Sequence, residues 1–121
     1  MKKVENKAKI LYGEGDAKII ESHAATMQKA GYDVQRAVGR RAMQDALSQA
    51  KFDVVVLGHT LTRDDRHHLP YMAKKANPNT RVLVIHASGK HPEVDLAIDS
   101  RQDGDRLLLE SLSEILEPAY A

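Results

Sequence analysis

The sequence predicts an α/β domain, a doubly wound parallel sheet covered by helices on both faces. Three observations lead to it. Two short runs, Val54-Val55-Val56-Leu57 and Val82-Leu83-Val84-Ile85, are continuous, apolar and rich in β-branched residues, as strands buried on both faces tend to be. Segments with apolar residues at helical spacing lie before, between and after them. The 121 residues match one compact domain of common size.

Taken in order, residues 1–8 are expected to be a flexible tail, and because Met1-Lys2-Lys3 leads into the polar run Glu5-Asn6-Lys7 and not an apolar core, secretion is not expected. The domain is expected over 9–117 and a second tail over 118–121. Lys9-Ile10-Leu11-Tyr12 reads as the first strand. Ile19, Ile20, His23, Met27 and Ala30 then recur at helical spacing, with Asp16 as cap and Gly31 as terminating glycine. Tyr32-Asp33-Val34 opens the second strand, and Asp33 to Ala37 is polar enough for a sheet edge.

Between Gly39 and Lys51 a stripe of Ala42, Met43, Ala46, Leu47 and Ala50 predicts the second helix, which feeds through Phe52-Asp53 into the strongest strand. Pro70 predicts a short or kinked third helix beginning near Leu69, with Asp64 to His68 as a polar lead-in. Val94 to Ile98 is a weaker fifth strand. Leu107, Leu108, Leu112, Ile115 and Leu116 line the last helix, with Asp103 or Asp105 as cap and Pro118 after its stop. Strand and helix alternate, so right-handed crossovers and a five-stranded flavodoxin-like sheet follow.

Composition excludes several functions. Without cysteine there is no disulfide, thiol chemistry or cysteine-ligated metal, which fits a reducing bacterial cytoplasm. Eighteen basic against 17 acidic residues give a net charge of +1, so no global field recruits nucleic acid or an anionic membrane. No apolar run approaches the roughly 20 residues needed to span a bilayer.

The segments "KILYGEGDAKII", "GYDV", "KFDVVVLGHTL" and "NPNTRVLVIHAS", in that order and spacing, resemble the receiver domains of bacterial response regulators over roughly residues 8 to 117. The resemblance implies a site with a carboxylate nucleophile, Mg²⁺ on oxygen ligands, a hydroxyl and a lysine. This sequence departs from it at each place. The acidic pair after the first strand is Glu14 and Gly15, with Asp16 next; the phosphoacceptor place holds Gly58; the hydroxyl place holds His86; and the lysine place aligns best with Ser100. Gly58 has no side chain and cannot form an acyl phosphate. Ser88-Gly89-Lys90-His91-Pro92-Glu93 also leaves only six residues for the helix between strands four and five, which is expected to be shortened or missing.

The expectation is therefore a stand-alone, receiver-like signalling module of the two-component type, acting by protein–protein contact without aspartyl phosphorylation. It is not expected to be an enzyme or to use a cofactor; its partner is a protein, with homodimerisation left open. The alternative is a small-ligand or metal-binding domain using the C-terminal rim of the sheet, where Glu14, Gly58, His59 and His86 would meet.

Other clusters read as ordinary surface. Arg63 to His68 forms a solvated helix start with acids near the positive end of the dipole, a docking patch being the alternative. Gly13-Glu14-Gly15 lacks the remainder of a phosphate loop. Arg36, Arg40 and Arg41 lie near Asp33 and Asp45 and read as a solvated face. The serines have no nucleophile-elbow context. Tyr71, Met72 and Tyr120 are expected at the surface, available for contacts.

Overall fold

The computed structural model describes residues 8–85, 94–98 and 105–120. Strand and helix alternate through β1 Lys9–Glu14, α1 Ala17–Lys29, β2 Asp33–Val38, α2 Arg40–Gln49, β3 Val54–Leu57, α3 Arg63–Ala76 and β4 Arg81–Ile85. β5 Leu96–Ile98 and α4 Asp105–Tyr120 complete the order. All five strands are parallel, arranged β2-β1-β3-β4-β5. This is the flavodoxin-like sheet, with β2 at an edge as its polarity predicts and β5 cut to three residues.

Alternation along each strand splits the core in two. Ile10, Tyr12, Val54, Val56, Leu83, Ile85 and Ile98 face one side, where Ile20, Ala24 and Met27 of α1 and Leu108, Leu112, Ile115 and Leu116 of α4 cover them. Leu11, Val55, Leu57, Val82 and Val84 face the other, under Met43, Ala46 and Leu47 of α2 and Leu69 and Ala73 of α3. The C-terminal end of the sheet holds the site.

The ends of α1 follow the sequence: the Asp16 side chain accepts from Lys18 N, Ala30 is the last capping residue, and Gly31 takes the left-handed conformation at φ 105°. α3 does not. It starts at Arg63 instead of near Leu69 and carries Pro70 in its interior. Thr62 caps it by accepting from Asp65 N at 3.1 Å, and Asp64 and Asp65 in the first turn favour the positive end of its dipole. Leu69 and Ala73 are anchored in the core, and Pro70 itself is buried, which offsets the single hydrogen bond that proline removes.

Both tail boundaries also move. Ala8 is buried, and its carbonyl accepts from Asp33 N at 2.9 Å, so the sheet's bonding reaches into the expected tail. α4 runs to Tyr120 with Pro118 inside it, because a proline in a last turn forgoes only one bond where few remain. At β5, Asp95 precedes the strand instead of lying in it. Its Oδ2 accepts from Val82 N at 2.8 Å and from Lys74 Nζ at 2.7 Å, pinning the start of the edge strand to β4 and α3. Residues 86–93, and with them the expected shortening of a helix between β4 and β5, lie outside the described residues.

Tyr32 packs against the α1–α4 core, and burial raises its phenol above the ordinary value of 10.0. The folded state then holds the proton more tightly than the unfolded chain. Its contribution to stability is intact below pH 10 and is lost as pH rises past that value. Tyr32→Phe is expected to flatten this loss, as read by urea midpoints between pH 9 and pH 11.

Candidate functional site

The site grows out of strand register. β1 and β3 pair with Gly13 beside Leu57, and Gly58 N continues the ladder to Gly13 O at 2.8 Å. Glu14 and Gly58 are therefore neighbours on adjacent strand ends, on the face shared by Tyr12 and Val56. Glu14 is fully buried. With no side chain on Gly58 to oppose it, its carboxylate lies over that residue: a Cβ built there would overlap the Glu14 carboxyl carbon and both oxygens.

Three hydrogen bonds hold this carboxylate. Tyr12 Oη donates to Oε2 in a short contact. Thr60 donates twice to Oε1, from its backbone N at 3.0 Å and from its Oγ1 at 2.5 Å. Thr60 Oγ1 in turn accepts from Gly15 N at 2.8 Å and Asp16 N at 3.1 Å. The hydroxyl thus gives one bond and receives two, which is its full capacity. Gly15 is needed for this closure, since a Cβ on it would overlap the Thr60 carbonyl oxygen. The Tyr12 ring meets His23 of α1 edge-on at 6.1 Å.

Solved receiver structures share this fold. The response regulator from Clostridium difficile superposes with a TM-score of 0.80 at 14% identity, over 95% of this chain and 100% of the other. The receiver protein from Sinorhizobium medicae gives 0.78 at 21%, covering 93% and 97%. The chemotaxis response regulator CheY4 of Vibrio cholerae gives 0.75 at 21%, covering 92% and 100%. The chain has the receiver fold. No protein-family model and no curated protein matches its sequence.

On a receiver fold, the end of β1 and the end of β3 are where Mg²⁺ and a phosphoryl group would be expected. The residues present do not fit them. Gly15 and Gly58 offer no side-chain oxygen, and both Glu14 oxygens already accept from Tyr12 and Thr60. Asp16 Oδ1 is used as the α1 cap, accepting from Lys18 N at 2.9 Å. A hard divalent cation takes about six oxygen ligands, and among the described residues no three acidic or histidine side chains gather to hold a metal.

His59 follows Gly58 and is exposed, while Glu14 is fully buried. His86 and Ser100 lie outside the described residues. Tyr12 and Thr60, the two residues that complete the site, carried no signal as family positions; their signal was position alone, each two residues from a site residue and so on its side of a strand or turn.

The other clusters are drawn apart. Arg36 Nε pairs with Glu21 of α1 at 3.0 Å, whereas Arg40 reaches Asp65 of α3 at 3.8 Å. His67 and His68 are exposed on α3. A shallow groove of about 440 Å³ between α2 and α3 is lined by Leu47, Met72 and Tyr71 among others. Tyr71 is 50% exposed and Met72 partly buried; nothing is described of the Tyr120 side chain.

Proposed function

We propose that this chain is a receiver-like regulatory module that works by protein contact and takes no phosphoryl group. The observation that carries the reading is the Glu14 carboxylate lying over Gly58: the nucleophile is missing and its space is filled from within the chain. A regulator without acceptor chemistry must act through the surface it shows to other proteins. A preserved sheet and four packed helices, with the rim closed by internal hydrogen bonds, support that mode of action.

The test is intact mass and melting temperature with and without acetyl phosphate and Mg²⁺. No added mass and no melting shift are expected. A stable phosphoryl adduct would overturn the reading and point to a nucleophile elsewhere on the rim.

A further inference from the structure

The donors around Glu14 are held by parts of the fold other than Glu14. Thr60 is fixed by the Gly15 and Asp16 amides through its Oγ1, and Leu61, next in the chain, is buried in the α2–α3 core. Tyr12 is fixed by β1, by burial and by its edge contact with His23. The donors also match the shape of their guest. One side presents a phenol hydroxyl to one oxygen; the other presents an amide and a hydroxyl to the second. That is a cradle for a planar anion with two oxygens, lined by neutral donors that are charge-assisted only when the guest is present.

We propose that this cradle is a binding site for a small monocarboxylate, and that Glu14 is its ligand, supplied by the chain itself. The inference rests on the reading of the rim as closed to phosphoryl transfer. Tethering gives Glu14 an effective concentration that free carboxylates cannot match, so the wild-type cradle stays filled. The ligand joins β1 to the turn before α3, across 46 positions of sequence, through the Thr60 amide. The cradle therefore opens to a free carboxylate only where the Glu14 carboxyl group is removed.

Glu14→Ala offers a direct test, because the atoms it removes are those of acetate: a methyl carbon, a carboxyl carbon and two oxygens. The variant's melting temperature is measured in sodium acetate and in sodium chloride at equal ionic strength. Acetate is expected to raise it saturably, by roughly 6 °C at ten times the dissociation constant, relative to chloride. Wild type should show no such difference, and Glu14→Ala combined with Thr60→Val should lose it. Propionate, one methylene longer, should act more weakly than acetate.

Equal effects of acetate and chloride on Glu14→Ala, or an equal acetate effect on wild type, would overturn the proposal. If Glu14→Ala folds in acetate and not in chloride, the expected result is obtained in stronger form. If it folds in neither, Glu14 is scaffold and not ligand, and the proposal fails. Acetyl phosphate labelling of wild type is read separately, so failure of the cradle and failure of the phosphorylation-independent reading are distinguishable.

Discussion

An aspartate at position 58, Gly58→Asp, is expected to destabilise the protein by about 3 kcal/mol or more, and not to create a phosphoryl acceptor. The new Cβ would enter the volume of the Glu14 carboxyl group, which cannot retreat without breaking its bonds to Tyr12 and Thr60. A second buried carboxylate beside the first adds repulsion. Gly58→Ala isolates the steric part, at about 1–3 kcal/mol. Because the obstacle is a side chain, Glu14→Ala should recover much of that cost. Urea unfolding of wild type, both single variants and the double variant gives the coupling, expected above about 1 kcal/mol. Additive effects would mean that Glu14 does not fill this space.

Gly15→Ala is expected to cost a similar amount, about 2–3 kcal/mol, with the opposite response to a second substitution. Its added Cβ meets the carbonyl oxygen of Thr60 and, at 3.0 Å, the carbonyl carbon. These are backbone atoms, so truncating Glu14 opens no room for it. The turn before α3 would have to move, taking Thr60 Oγ1 away from the Gly15 and Asp16 amides. The same urea series should therefore show no rescue of Gly15→Ala by Glu14→Ala. Gly13 supplies the contrast, since a Cβ there meets the flexible end of Met43.

Much of the fold is legible in the chain because its central strands are unambiguous: Val54–Leu57 and Val82–Ile85 are too short for helices, too apolar for loops and β-branched enough to extend. Helix ends were less so. Pro70 and Pro118 each suggested a boundary, and each lies inside a helix, since capping by Thr62 and burial of Leu69 and Ala73 outweigh one lost bond in α3. A proline reports a local cost, and the compensation sits in residues distant along the chain.

The site was legible to the same depth. The absence of a carboxylate at Gly58 can be read from "DVVVLG" alone. That Glu14 fills the gap follows only from register, because the pairing of Gly13 with Leu57 brings residues 44 apart in sequence side by side. The roles of Tyr12 and Thr60 depend on hydrogen-bond geometry that residue type does not encode. The alternative reading sets Glu14 at the rim of the sheet with His59, and the sequence does not reveal that Glu14 is fully buried there.

The two borders of the sheet bear on how this molecule meets others. At one border β2 exposes Asp33 and Gln35 and half-exposes Arg36, and charged side chains on an outer strand discourage another strand from annealing to it. At the other border the described residues of β5 are Leu96–Ile98. Lateral extension of the sheet, the route by which many domains capture extended peptides or stack into fibres, is therefore disfavoured at β2.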